Sequence, residues 1–447
     1  MAAAVAKKPA GRVSQVFEAG AARQGAYDLL EHEGVTPAVV SAALFDATAR
    51  ACRFEDLVLI AVDGSSLTLT DENHSKGLGT VGTFQAGAQG LKVMNALALR
   101  ADGTTIGVID QVWWTRKERV PTTGYRAAAT RESVHWRTVV TNVTARFAEL
   151  APKVRVHFLF DREGDASVLL RQLIAQRCEF TCRARHNRKV VVGGRRCNIL
   201  PQLRKLPPLA TSTLALPATA KRGARTAHLE IRAAPFSVSL RDHQDHKRRT
   251  VAMTAVWVHE PGRSVARGGL EWFLYTNVTI DSATTALAAV TRYTRRWRIE
   301  EFHRTWKRGL CRVEDTQLRS PAAVIKWATL LAAVATRADQ LRLRARSTPD
   351  AAATDMLSPD EVLVLVTLRN STQQSGYITA ASAARHFKQV SGDGLTLATA
   401  VLWIASLGGY VPSKTGVPGT VTIGRGLQRL LEATELVGAL RSTGKMR

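Results

Sequence analysis

Two short apolar runs that each end in aspartate constrain the fold of this 447-residue chain most strongly. The first run is LVLIAVD, which ends at Asp63, and the second is VRVHFLFD, which ends at Asp161. A continuous apolar run of this length is typical of a central strand that is buried on both faces of a sheet. We therefore predict two buried strands, each of which delivers a carboxylate to a site at its end.

The segments around these runs give the order of the elements. KVMNALALR and TTIGVIDQVWW are joined by Ala101, Asp102 and Gly103, a turn sequence typical of a β-hairpin. We expect an amphipathic helix over 131–150, a strand over 154–161, a helix over 165–177 and a strand over 179–185. The order β-β-β-α-β-α-β predicts a mixed sheet with helices packed on it.

The remaining sequence divides into three regions of different texture. Short helices are expected within 11–53, before the first strand. Residues 187–270 are rich in Gly, Pro and Arg, and their short alternating runs indicate a β-rich insertion of its own. Basic residues cluster in this insertion at Lys221, Arg222 and Arg225, and again at Lys247, Arg248 and Arg249.

The chain is predicted to be mostly helical after the insertion. A strand is expected at 271–277, and a long helix then begins near Ser282, capped by that residue or by Thr279, and runs past Lys307. Another helix is expected from Pro321 to about Arg346. The segment STPDAAATDMLSP is predicted to be a linker, and residues 361–440 a helical tail.

The charge of the chain indicates a polyanionic partner. Lys and Arg number 62 against 37 Asp and Glu, which gives a net charge of +25. Nucleic acid is the first candidate, although ribosomal and membrane-surface proteins share such charge. Five cysteines are sparse and odd in number, which favours a reducing compartment. No signal peptide or membrane-spanning run is evident, so we expect a cytoplasmic protein without a membrane partner.

One helix face combines a carboxylate with several cations. In the helix predicted for YTRRWRIEEFHRTWKRG, the residues Tyr293, Arg296, Glu300, Arg304 and Lys307 fall on one face about 80° wide. The ordinary interpretation is a solvated face with ion pairs between Glu300 and the arginines four residues away.

The two aspartates give this face a second interpretation. Singly, an aspartate at a strand end is more often a turn former or a helix cap. Asp63, Asp161 and Glu300 together would form an oxygen-rich site of the kind that Mg²⁺ prefers. Two such ions can promote attack on a phosphodiester, and flanking cations would hold the DNA phosphates beside them.

These motifs resemble a known family. Tyr293, Arg296, Glu300 and Lys307 match the Y-(2)-R-(3)-E-(6)-K signature of the insertion-sequence-four (IS4) family of DDE transposases. FDREGD at the second aspartate and RCEFTCRARHNRK after it resemble the same family. The resemblance extends from about Gln24 to near Lys414. It implies a ribonuclease H-like mixed sheet flanked by helices, with an inserted β-rich subdomain and a helical C-terminal domain.

The resemblance also implies roles for individual residues. Asp63, Asp161 and Glu300 would be the catalytic, metal-binding triad, with two Mg²⁺ per site, for which Mn²⁺ can substitute. Trp272 would stack on a base flipped out of a hairpin intermediate, beside Trp297. The other residues implied to contact DNA are Tyr293, Arg296, His303, Arg304, Lys307, Arg183 and Arg185.

The family's reaction and organisation complete the expectation. The enzyme nicks the transposon end, forms and reopens a hairpin, and joins the end to target DNA as a homodimer associated with the nucleoid. We expect a shortened DNA-binding region at 1–55, a catalytic domain at 56–345 and a dimerisation domain at 346–447. The glycine-rich segment after Asp63 lacks the family's aromatic pair.

Several alternatives remain open from the sequence. The chain is either an active transposase, a truncated DNA-binding or dimerising form that inhibits without cutting, or a ribonuclease H-like nuclease with a cellular role. Trp272 alone would be read as a core residue. Cys178, Cys182 and His186 have an atypical spacing for zinc, so that interpretation is disfavoured.

Overall fold

Four helices precede the first strand. The computed structural model describes residues 1–73, 75–82, 87–116, 133–192, 194–216, 223–241, 247–374, 394–411 and 417–442. The helices are α1 (Ala2–Lys7), α2 (Val13–Val16), α3 (Gly20–Glu31) and α4 (Pro37–Cys52). Thr36 caps α4 by accepting the Val39 N–H, and Pro37 occupies the first turn, where no N–H is needed. The helices predicted within 11–53 are confirmed.

The centre of the molecule is a mixed sheet. Its strands are β1 (Leu57–Thr68), β2 (Gly79–Thr80), β3 (Gln89–Arg100), β4 (Thr105–Trp114), β5 (Arg155–Phe160) and β6 (Glu179–Arg183). The order across the central part is β4-β3-β1-β5-β6. Neighbouring strands are antiparallel from β4 to β1, and β5 and β6 run parallel to β1. This mixed α/β arrangement is consistent with the expected ribonuclease H-like fold.

The predicted hairpin between β3 and β4 is confirmed. Gly103 has a φ of 89°, a conformation that favours glycine. The Asp102 carboxylate accepts the Thr104 N–H at 2.7 Å, which closes the turn. The hairpin places the central residues of β4 beside those of β3, with Gln111 opposite Asn95.

Helices cover both faces of the sheet. On one face α5 (Ser133–Leu150) and α6 (Ser167–Ala175) bury Val62 and Phe160. On the other face, Leu59 and Leu97 pack with residues of α9 (Arg298–Lys307) and α10 (Pro321–Ser347). The burial of β1 on both sides agrees with its continuous apolar sequence. Residues 131 and 132, in the stretch expected as the start of α5, lie outside the described ranges.

The predicted β-rich insertion extends the central sheet. Its elements are β7 (Lys189–Val192), β8 (Arg195–Asn198), α7 (Ile199–Lys205), β9 (Ala210–Leu216), β10 (Arg225–Arg241) and β11 (Arg248–His259). These strands connect to the centre through β12 (Glu271–Thr276), which pairs antiparallel with β6. The insertion is therefore continuous with the central sheet, because β12 occupies the edge that β6 leaves open. Of its basic residues, Lys221 and Arg222 lie outside the described ranges, and Arg225 is paired with Glu260.

The C-terminal part is helical and has a core of its own. It comprises α11 (Pro359–Gln374), α12 (Leu397–Leu407) and α13 (Thr420–Ser442). Leu341 from α10 joins this core, so the long helix connects it to the central sheet. The predicted linker contains the buried residues Ala353 and Leu357, whereas Lys414 lies outside the described ranges. Among the described helices, none has the length and apolar character needed to span a membrane.

Candidate active site

Asp63 and Asp161 are brought to adjacent strands by the parallel pairing of β1 and β5. The pairing ends at Ala61 and Leu159, and two residues further along each strand are the two aspartates. Asp161 follows the last residue of β5, as predicted. Asp63 does not end its strand, because β1 continues to Thr68 through pairing with β3. The expectation of a strand end at Asp63 is wrong, but Asp63 lies where β1 extends beyond β5.

Both aspartates also accept local backbone hydrogen bonds. Asp63 Oδ1 accepts the Gly64 N–H at 3.0 Å. Asp161 Oδ1 accepts the Glu163 N–H at 2.8 Å and so caps a short 3₁₀ turn. In both aspartates Oδ1 accepts the backbone hydrogen bond. Among the described residues, Oδ2 accepts no backbone hydrogen bond in either of them. The turn-forming role considered for Asp161 alone is therefore real, and it orients the carboxylate.

Arg296 links Glu300 to Asp63. Its Nη2 donates to Glu300 Oε1 at 2.6 Å, and its Nη1 lies 3.8 Å from Asp63 Oδ2. The side chains are 12% exposed for Arg296, 20% for Asp63 and 31% for Glu300, so the group is partly shielded from water. The predicted pair between Glu300 and the arginine four residues earlier is confirmed. The pair does not belong to a solvated face, because Arg296 also reaches a strand of the sheet.

The charges of two other acidic residues act on Asp63. Burial, followed by the charge of Asp161, raises the pKa of Asp63 to about 7. Arg296 lowers the pKa of Asp63, and Glu300 raises it. A buried carboxylate beside two others and a single arginine has an unfavourable charge that a bound cation would relieve.

The helix that bears Glu300 is interrupted. A single helix was expected from Ser282 past Lys307, but α8 (Ala283–Arg295) ends before Arg296 and α9 begins at Arg298. The cause is a turn of tighter bonds, since Arg296 N–H donates to Tyr293 O and Ile299 N–H to Arg296 O. Ser282 caps α8 with a capping box, as one of the two predicted caps.

Tyr293 and Trp272 lie together beneath the break in the helix. Their ring centroids are 6.3 Å apart, and both contribute to the apolar cluster under the insertion strands. Burial raises the pKa of Tyr293 to about 12, so the phenol is neutral at ordinary pH. Trp297, in the break itself, is 54% exposed. Tryptophan side chains are highly buried on average, so the exposure of Trp297 beside charged residues is unusual.

The cations on α9 have different surroundings. Arg304 is exposed. Lys307 Nζ lies 3.3 Å from Glu314 Oε1, and Glu314 also accepts Arg308 Nε at 2.7 Å. The same carboxylate accepts the Thr68 N–H at 3.0 Å, which ties the end of β1 to the end of α9. No local pattern pointed to Glu314, because its contact with Thr68 joins residues 246 positions apart.

Arg183 and Arg185 face different environments on β6 and after it. Arg183 is half-buried, and its Nη2 donates to the Glu271 carbonyl at 3.4 Å. Burial lowers the pKa of Arg183, with Tyr293, Arg296 and Asp161 also close enough to act on it. Arg185 is exposed and lines a cavity of about 430 Å³ next to α5 and α6. Arg183 therefore lies close to Asp161, whereas Arg185 lines the neighbouring cavity.

His303 is partly buried, and one edge of its ring contacts the central sheet. Its Nε2 is 2.9 Å from Asn95 Nδ2, and Asn95 is paired directly with Asp63 across β1 and β3. Burial, together with the nearby charges of Lys307 and Arg296, lowers the pKa of His303 to about 3. The ring is neutral at ordinary pH. The Asn95 contact was not predicted, although an asparagine within an apolar strand is a recognisable signal.

The residues suit divalent metal by their chemistry. Within the described ranges, no three His, Cys, Asp or Glu side chains converge tightly enough to hold an ion by themselves. The carboxylates therefore form an open set. Mg²⁺ is commonly bound by one or two carboxylates together with substrate phosphates, so an open set of hard oxygen donors is compatible with it.

The disfavoured zinc interpretation finds no support in the described residues. Cys182 Sγ donates to the Asp161 carbonyl at 3.3 Å, and Cys178 Sγ lies 3.7 Å from the Gln176 carbonyl. Burial raises the pKa of both thiols, which disfavours the thiolate that zinc requires. Cys182 instead packs behind the second aspartate.

Part of the chain matches the model of a known protein family. The family model described as "Transposase DDE domain" matches residues 125–337, slightly less than half of the chain. The matched region includes Asp161, Tyr293, Arg296, Glu300 and Lys307, and Asp63 lies before it. The match supports a DDE transposase, and with it an activity on DNA.

Proposed function

We propose that this chain is a cut-and-paste DNA transposase of the IS4 type. The observation that carries the proposal is that the charges of Asp161 and Glu300 both act on Asp63, beside Arg and Lys side chains. The match to the transposase family model is independent support. The net charge of +25 suits a DNA substrate.

The three carboxylates would hold two Mg²⁺ ions, for which Mn²⁺ would substitute. When bound, these ions would activate the attacking hydroxyl and stabilise the leaving oxygen of a phosphodiester. Asp63 and Asp161 are oriented by their backbone hydrogen bonds, and Glu300 by Arg296. This preorganisation limits the reorganisation needed when DNA arrives.

The cations would place the DNA backbone. Arg296 is a fork-shaped donor between Glu300 and Asp63, so one of its edges would reach a phosphate beside the carboxylates. Lys307 and Arg304 would bind phosphates along α9, while Arg183 and Arg185 would bind along β6. Tyr293, neutral at ordinary pH, would donate its hydroxyl to a phosphate oxygen.

The two tryptophans would bind distorted DNA. Trp297 presents an exposed ring next to Glu300, where an unpaired base would stack. Trp272 is half-buried against Tyr293 and would support a flipped base from below. Such stacking is what a hairpin intermediate requires, because its terminal nucleotides are unpaired.

The division of the chain would follow these roles. Residues 56–345 would form the catalytic domain, which includes the insertion at 187–270. The helices of 346–447 would mediate a homodimer, and residues 1–55 would help to bind the inverted-repeat ends. The protein would nick each end, form and reopen a hairpin, and join the ends to target DNA at the nucleoid.

The direct test is cleavage of the element's own end DNA. The intact protein is incubated with a labelled duplex of the inverted repeat and Mg²⁺, and products are resolved on a denaturing gel. A nick followed by a hairpin of doubled length is expected, with none in EDTA or with a shuffled end sequence. Binding without any cleavage would favour the inhibitor form. Cleavage of branched or unrelated DNA in preference to the end would favour the cellular nuclease.

A further inference from the structure

A row of polar residues crosses the centre of the sheet beside the candidate site. Asp63 on β1 is paired with Asn95 on β3, which is paired with Gln111 on β4. Asn95 is 0% exposed and Gln111 is 7% exposed, so both amides lie in the apolar core. A buried amide costs free energy unless its donors and acceptors are used, which makes their partners informative.

The partners form a chain that leads to His303. Thr329 on α10 donates its hydroxyl to Gln111 Oε1 at 3.1 Å. Gln111 Nε2 donates to Asn95 Oδ1 at 2.7 Å. Asn95 Nδ2 lies 2.9 Å from His303 Nε2. These hydrogen bonds therefore connect α10, β4, β3 and α9, the helix that bears Glu300.

The direction of these bonds determines the protonation of the ring. An amide nitrogen only donates, so His303 Nε2 has to accept and cannot bear a proton. In a neutral ring the proton is then on Nδ1. The opposite direction would require both amides to be turned over, with Gln111 donating to the Thr329 hydroxyl.

The other edge of the ring is available. Among the residues that the structure describes, no hydrogen bond is formed by His303 Nδ1, and this atom is not one of the buried atoms that lack a partner. The cations Arg296 and Lys307 are close to the ring. An Nδ1–H in that environment suits an anionic oxygen, whereas an unprotonated Nδ1 would repel it.

We propose that Thr329, Gln111 and Asn95 are positioning residues that fix His303 as the Nδ1–H tautomer, which donates to a DNA oxygen beside Glu300. The last step rests on the proposed function, but the tautomer does not. A neutral donor can bind a DNA oxygen without adding a charge to the site. The orientation of His303 is set by hydrogen bonds from buried residues, and not by residues at the surface.

The tautomer is measured first, by NMR of the full chain with labelled histidine. The chain has 11 histidines, and the His303 signals are assigned by their loss in His303→Gln. The expected result is a proton on Nδ1 and an unprotonated Nε2 between pH 6 and 8, the range of ordinary histidine titration. A proton on Nε2 would contradict the proposed direction of the hydrogen bonds from Thr329 to His303, whatever the enzyme's activity.

The second test uses Asn95→Asp to reverse the direction of the hydrogen bond between residue 95 and His303. A carboxylate at this position cannot donate, so His303 should shift to the Nε2–H tautomer. End cleavage should fall by about 10- to 100-fold, the value of one hydrogen bond to a charged acceptor. Thr329→Val is the milder variant, and it should give a mixture of tautomers with a smaller loss.

The control is the same change without the histidine. In a His303→Ala background, Asn95→Asp should have little further effect on cleavage, because the two residues act in series. An equal loss in both backgrounds would mean that the new charge acts on Asp63 directly, and the proposal would fail. If the wild-type protein does not cleave end DNA, the proposed function fails. The NMR result then tests by itself whether the buried hydrogen bonds fix the tautomer of His303.

Discussion

The buried charge of Asp63 predicts that Asp63→Asn stabilises the metal-free protein. The folded-state pKa of Asp63 is about 7 against an ordinary value of 3.8. Because this pKa is raised, folding is not penalised below pH 3.8, and the penalty grows as the pH rises to about 7. A difference of about three pKa units corresponds to about 4 kcal/mol.

The asparagine variant removes this penalty at the expense of the Arg296 attraction. We expect Asp63→Asn to exceed the wild type by about 2–4 kcal/mol in free energy of unfolding at pH 8, and to be nearly equal to it at pH 4. The assay is urea denaturation in EDTA at a series of pH values, followed by circular dichroism. Asp28→Asn, at an exposed site on α3, is the control and should follow the wild type at every pH. A variant that is no more stable than the wild type at pH 8 would refute the account of the site's electrostatics.

Three further outcomes are expected from other parts of the chain. Trp297→Ala should change the free energy of unfolding by less than about 0.5 kcal/mol, since the ring is 54% exposed. In a binding titration, the same variant should bind DNA with an unpaired end more weakly by about 1–3 kcal/mol. Equal weakening for a fully paired duplex would argue against stacking. Asp339→Asn should cost about 2–4 kcal/mol in thermal unfolding, because Asp339 pairs with the buried Arg342 and accepts the Thr105 hydroxyl, and a cost below about 0.5 kcal/mol would contradict this. Gly426→Ala should separate α12 from α13, since a Cβ there would lie 1.7 Å from the Ile404 carbonyl; hydrogen exchange should rise in these two helices and stay unchanged in β1 and β5.

The central strands could be predicted from the sequence because each has a local signature. Continuous apolar runs marked β1 and β5, and the Asp102-Gly103 turn marked the hairpin. The extent of β1 beyond Asp63 was missed, since GSSLT is polar and is held in the strand by pairing with β3. Likewise, the continuation of the sheet into the insertion depends on the pairing of β12 with β6, which no local pattern reveals.

The candidate site was predictable where residues share one helix. The Glu300–Arg296 pair follows from a spacing of four residues. The interruption between α8 and α9 was not predictable, because residues 295–298 contain neither Pro nor Gly. Contacts between distant segments, such as Glu314 with Thr68 and Asn95 with His303, required the structure. The residues that orient the site are thus less visible in the sequence than the carboxylates themselves.

The most direct test of the central claim compares two neighbouring glutamates on α9. Glu300 pairs with Arg296, which also lies near Asp63, whereas Glu301 pairs with Arg298 and Arg342 on a different face of the helix. Both are replaced by Gln, and cleavage of end DNA with Mg²⁺ is measured alongside DNA binding. We predict that Glu300→Gln binds DNA and does not cleave it, while Glu301→Gln cleaves it with reduced thermal stability. Undiminished cleavage by Glu300→Gln would contradict the assignment of the triad.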